Sequence, residues 1–166
     1  MTAISPDGPS LKHIRRIRAA PEEVFEAFVD PRELVHWWGP DEGPTLCAET
    51  DLRVGGSFRV AFRTMDGELH ETQGEYLEID APRRLVMAFW WSDAPHVRSR
   101  VTVSIDPVDD GARLTVLHEG FADTVSRDSH EVGWAGALDK LATLAESAHE
   151  KEGSGSPREE HRRIIT

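Results

Sequence analysis

From Ser126 to His149 an apolar residue recurs every three or four positions: Trp134, Leu138, Leu141, Ala145 and Ala148. Ala135 and Ala142 flank this stripe on one side, Ala137 and Leu144 on the other, while Asp139, Lys140, Thr143, Glu146 and Ser147 fall opposite. The period predicts a long amphipathic helix over 126–149. Asp128 with Glu131 three residues on reads as a capping box at its start, and Gly153 stands just past its expected end. A lone helix cannot bury so broad a stripe, so the rest of the chain must supply a surface to cover it.

Upstream the period changes to two. Ser57–Thr64 places Phe58, Val60 and Phe62 on one face and Arg59 and Arg63 on the other. Asp66-Gly67 then signals a tight hairpin, and Glu68–Ile79 is the returning strand, with Gly74 expected to mark a bulge. Arg84–Trp91 aligns Leu85, Met87, Phe89 and Trp91; Val97–Ile105 aligns Val101, Val103 and Ile105; Ala112–Glu119 aligns Leu114, Val116 and His118. Ser10–Arg18 and Thr45–Val54 are further strands, the latter closed by a Gly55-Gly56 sheet corner. Between them Pro21 opens a short helix with Val24, Ala27 and Phe28 on its apolar face, Asp30-Pro31 breaks it, and Arg32–Trp38 forms a second, ended by Gly39-Pro40. One strand, two short helices, about six strands and a long helix make an α+β domain with an antiparallel sheet.

The 166 residues suit one domain over 10–150, with flexible ends at 1–9 and 151–166, the latter polar and Gly/Ser-rich at its start. The net charge of -11 argues against a nucleic-acid partner and against an anionic membrane surface, since phosphate binding needs a basic face. No apolar run approaches the roughly 20 residues of a membrane span, and no basic start followed by an apolar stretch marks a signal peptide. One cysteine, Cys47, excludes an internal disulfide and a thiolate cluster. The expected location is cytoplasmic. The eight histidines show no helical pairing for a metal, and Gly55-Gly56 lacks the Lys-Ser/Thr of a phosphate loop, so neither metal nor cofactor is expected.

Eight short motifs in order carry a family resemblance: Arg18–Phe28, Asp30-Pro31, Trp37–Pro40, Arg53–Phe58, Gly74–Ile79, Arg83–Val86, Leu114–Gly120, and Gly133-Trp134 with Leu138 and Leu141. Together they resemble the SRPBCC superfamily (START and birch-pollen-allergen-like), in the branch related to the C-terminal domain of the activator of the ninety-kilodalton heat-shock protein ATPase. The resemblance implies the helix-grip fold, a curved antiparallel sheet around the C-terminal helix with an apolar cavity between them. It also implies that Trp37 and Trp38 close one mouth of that cavity.

On the strand phases the cavity is expected to be lined by Phe58, Phe62, Met87, Phe89, Trp91 and His118, and on the helix by Trp134 and Leu138, with Trp37 and Trp38 at the mouth. Such walls suit a small hydrophobic or aromatic ligand. An inward His118 could orient a ligand, act as an acid/base near neutral pH, or be a core histidine satisfied by a backbone carbonyl. His70 and Thr72 face inward if Gly74 leaves the register unshifted. Ser126, Asp128 and His130 read as helix-start chemistry, not a catalytic triad. Three functions are compatible with this: ligand binding, a cyclase- or hydrolase-like enzyme using His118, and a chaperone-associated or regulatory module. A homodimer is compatible with each.

Overall fold

A computed structural model describes residues 8–153; the readings for residues 1–7 and 154–166 fall outside it. Seven antiparallel strands form one sheet in the order β1-β7-β6-β5-β4-β3-β2. They are β1 (Ser10–Ile17), β2 (Thr45–Thr50), β3 (Ser57–Arg63), β4 (Leu69–Asp80), β5 (Arg84–Trp91), β6 (Ser99–Val108) and β7 (Gly111–Glu119). Strands β2 to β7 pair with their sequence neighbours, and β1 joins the far edge against β7 with Ser10 opposite Glu119. Helices α1 (Pro21–Val29) and α2 (Pro31–Leu34) follow β1, and α3 (Thr124–Gly153) closes the chain. This is the α+β helix-grip architecture.

The period-two residues fill the core. Phe58, Val60, Phe62, Leu85, Met87, Phe89, Val101, Val103, Ile105, Leu114 and Val116 are buried on the strands, and Trp134, Ala137, Leu138, Leu141 and Ala145 on α3. Alternate side chains of β3, β5, β6 and β7 are therefore buried in the same core as the helix stripe, which is the burial the stripe required.

Several boundaries differ from the sequence reading. The long helix begins at Thr124 and extends through Gly153, so Lys151–Gly153 belong to it and not to a flexible tail. Its start is held by the Asp123 carboxylate, which accepts from the Ser126 N–H at 2.8 Å. Asp128 and Glu131 make no capping box; both pair with the Arg127 guanidinium. Strand β2 stops at Thr50 because Asp51–Gly56 forms a turn, with Gly55 at φ 87° and its N–H donating to the Tyr76 carbonyl at 2.8 Å. Helix α2 ends at Leu34, and two further turn bonds, from Trp37 and Trp38 N–H to the Leu34 carbonyl, carry the chain onward.

Gly74 is not a bulge. The β3–β4 ladder runs through it in register, and the irregularity in β4 lies between Tyr76 and Glu78. Its reason is space: a Cβ there would lie 2.2 Å from the Phe58 ring and 2.3 Å from the Ala88 carbonyl. With the register unshifted, Thr72 is buried on the inner face, and the ring of His70 stacks on Phe62 at 5.4 Å.

Candidate functional site, an aromatic cavity

Between α3 and strands β3, β4 and β5 lies an open cavity of about 870 Å³. Four segments build it. The turn after α2 brings Trp37 to Pro40, β3 and β4 bring Phe62, His70 and Thr72, β5 brings Phe89 and Trp91, and α3 brings His130, Trp134 and Ala137. Exposed Leu69 and Val132 stand at its rim.

The turn after α2 is held from several sides. Trp37 is fully buried, and its indole N–H donates to the Ala27 carbonyl at 2.8 Å. Pro40 sits on α3 where Gly136 has no side chain; a Cβ there would lie 2.1 Å from the Pro40 oxygen. The Asp41 carboxylate accepts from the N–H groups of Gly43 and Met65, and its carbonyl accepts from the Lys140 ammonium.

All the tryptophan N–H groups around the cavity are engaged within the protein. Trp38 Nε1 donates to Thr72 Oγ1 at 3.3 Å, Trp91 Nε1 to His130 Nε2 at 3.0 Å, and Trp134 Nε1 to His118 Nδ1 at 3.0 Å. Trp38 lies 5.9 Å from the Trp134 ring and 6.4 Å from Phe89, while Trp91 meets Phe89 edge-on at 5.7 Å and Phe62 at 6.1 Å. Because the indole N–H groups are satisfied, what remains for an occupant is ring surface.

These bonds fix the two histidine tautomers. His118 Nδ1 accepts from Trp134, so Nε2 carries the hydrogen and donates to Ser99 Oγ at 2.7 Å; Ser99 in turn donates to the Phe89 carbonyl at 3.3 Å. His118 is fully buried, and burial holds its pKa well below the ordinary 6.5, with the nearby His130 acting in the same direction. His130 Nε2 accepts from Trp91, so its Nδ1–H donates to the Ser126 carbonyl at 2.7 Å. Burial lowers its pKa too, against an opposing pull from that carbonyl.

Of the residues expected to line the cavity, Trp37, Trp38, Phe62, Phe89, Trp91 and Trp134 border it. Phe58, Met87, His118 and Leu138 do not; they are buried behind its wall in the core. His118 is a core histidine, but side chains satisfy it and not the expected backbone carbonyl. With both nitrogens bonded and no access to the cavity, it is not placed as an acid/base there. His130 was read only as helix-start chemistry, yet it forms part of the wall. Its position four residues before Trp134 and seven before Ala137, on one helix face, is the signal that would have found it.

The fold and cavity define the class: a helix-grip domain of the SRPBCC superfamily with an aromatic-walled cavity. The chain belongs to the family of activator of Hsp90 ATPase homolog 1-like proteins, which matches it over residues 18–146. A Chromobacterium violaceum protein is similar at 30% identity and TM-score 0.73, covering 82% of this chain and 97% of its own. An AHSA1 protein of Silicibacter pomeroyi shares 26% identity at TM-score 0.74, covering 85% and 100%. An AHSA1-like protein of Aeromonas hydrophila, at 23% identity and TM-score 0.71 with 84% and 94% coverage, shows the same fold. No curated protein matches the chain. Among the described residues no helix is long and apolar enough to cross a membrane.

Proposed function

We propose that this protein binds a small hydrophobic or aromatic ligand between its sheet and α3, as a cytoplasmic binding protein acting without a cofactor. The observation that carries this reading is the wall itself. Trp38, Trp91 and Trp134 direct their N–H groups to Thr72, His130 and His118, leaving ring surface around a cavity of about 870 Å³. That volume lies within the range of small-molecule sites. Ligand contacts are assigned to Trp38, Phe62, Phe89, Trp91 and Trp134, with His70 and His130 as the polar groups among them; Trp37 and Thr72, fully buried, back this wall. The engagement of both His118 nitrogens favours binding over the acid/base role that an enzymatic reading would give it. The family is named for an ATPase activator; an open aromatic cavity supports ligand binding more directly than it supports that activity.

The test is native mass spectrometry of protein purified from its own host, followed by solvent extraction of the bound compound. A stoichiometric apolar adduct is expected, and Ala137→Phe, which adds a ring on the cavity wall, is expected to lose it. An adduct that survives Ala137→Phe in a folded protein would place the ligand elsewhere and refute the reading.

A further inference from the structure

The cavity is aromatic, and it also lacks positive charge. Among the described residues no lysine or arginine borders it. The cations of the surrounding elements are engaged elsewhere. Arg59 pairs with Glu49 and Glu71, Arg63 donates to the Gly67 carbonyl, Arg98 lies over the Trp90 ring at 3.9 Å, and Lys140 donates to the Asp41 carbonyl. The two histidines on the wall supply no free cation. His130 Nε2 faces the Trp91 N–H, which favours its neutral form, and the His70 ring lies 3.6 Å from the Glu68 carboxylate, an anion of the protein itself. The positive end of α3 is also remote. The helix starts at Thr124, Asp123 covers its first turn, and its cavity residues begin only at Ser129, beyond the range of the terminal dipole.

Negative charge, by contrast, is present. Asp93, in the turn after β5, borders the cavity, is exposed, and has no hydrogen bond or ion pair to any described residue. Glu71 also borders it, but its carboxylate is bonded to Arg59 and Gln73. A carboxylate, sulfonate or phosphate entering this space would lose water and gain no charged donor. An ammonium group would lose water but meet ring faces and Asp93, both of which attract cations.

We propose that the cavity selects by charge, accepting uncharged and cationic aromatic compounds and rejecting aromatic anions. This rests on the ligand-binding reading above and narrows it to a ligand class.

The test is calorimetric titration of the full chain with three probes of one shape: 2-naphthylmethanol, 2-naphthylmethylamine and 2-naphthoate. The alcohol and the amine are expected to bind one per chain, and the naphthoate at least about tenfold more weakly. The difference is expected to persist at about 0.5 M salt, where the field of the whole protein is screened to a few ångströms. Asp93→Lys changes an exposed side chain without partners, so folding is retained. It is expected to narrow the amine-to-naphthoate ratio by several-fold, with the alcohol measured in each protein as the uncharged reference. Naphthoate binding within about threefold of the alcohol would overturn charge selection while leaving the cavity reading intact. So would a preference that vanishes at high salt, since it would then belong to the net charge of -11. If neither alcohol nor amine binds, or if both bind Ala137→Phe equally well, the ligand-binding reading itself fails and this inference falls with it.

Discussion

Replacing His118 by Phe tests the hydrogen-bond chain behind the cavity wall, and the result depends on pH in a defined way. The ring is fully buried, 4.8 Å from Phe89 and 4.3 Å from Phe121, so a benzene ring fits its surroundings in size and polarity. The loss is in bonding. The Trp134 N–H, 3.0 Å from His118 Nδ1 in the native protein, is left with no acceptor. Ser99 keeps its bond to the Phe89 carbonyl. One unpaired buried donor costs about 1–3 kcal/mol, and the variant should be destabilised by that amount at pH 7.5.

Lowering the pH works in the opposite direction on the difference. Burial depresses the folded-state pKa of His118, whereas the unfolded chain takes up its proton near 6.5. A depressed group contributes stability that is complete above the unfolded pKa and is lost as pH falls toward the folded value. In that window each such histidine removes up to about 1.4 kcal/mol per pH unit. The native protein carries two, His118 and His130; the variant carries only His130. Between pH 6.5 and 5.0 the gap between native protein and variant should therefore close by up to about 2 kcal/mol. Urea unfolding followed by circular dichroism at pH 7.5, 6.5 and 5.0, with equal m values, measures it. Parallel pH dependences for the two proteins would refute the argument, because they would mean that His118 is protonated in the folded state.

Other substitutions test the packing around the cavity. Gly136→Ala improves helix propensity by about 1 kcal/mol, but its Cβ meets the Pro40 oxygen at 2.1 Å. The clash is with backbone, so a net loss of about 1–3 kcal/mol is expected in thermal unfolding, with weaker ligand binding as the turn after α2 is pushed away. Gly74→Ala meets both the Phe58 ring and the Ala88 carbonyl, and should cost more than Gly136→Ala because the carbonyl is fixed in the sheet. His130→Phe leaves the Trp91 N–H without its acceptor. Trp91 is only half-buried and can reach water, so about 1 kcal/mol is expected by urea unfolding, together with a shifted tryptophan emission.

The architecture was legible because period is a strong signal. The stripe from Trp134 to Ala145 and the alternation of Phe58, Val60 and Phe62 each required a buried partner, and both lie in one hydrophobic core in the structure. The cavity was legible only in part. Alternation states which face of a strand a residue occupies, not how far along the sheet the core is filled, so Phe62 and Phe89 border the cavity while Phe58 and Met87 pack behind it. Gly74 shows a similar limit. A glycine in a strand signals either a bulge or a close approach, and only the position of the Phe58 ring decides between them. The bonds of Trp91 to His130 and of Trp134 to His118 join residues 39 and 16 positions apart, and no local pattern encodes them.

Those long-range bonds, with the fixed turn after α2, bear on how the cavity would bind. Most of its wall does not depend on an occupant to hold its shape. The indole rings are oriented by internal acceptors, and the turn is held by the Trp37 bond to Ala27, the fit of Pro40 on Gly136 and the three bonds at Asp41. A ligand entering such a site orders few protein groups, so little of its binding energy is lost to conformational entropy. The wall and the rim also separate two roles. Changing an indole or its acceptor disturbs the core, as with His118, whereas Asp93, Ser129 and Val132 are exposed at the rim. Specificity in this scaffold can therefore shift through rim residues at little cost to the fold, and Asp93, which has no hydrogen bond or ion pair to the rest of the described protein, is the position where that should be easiest to observe.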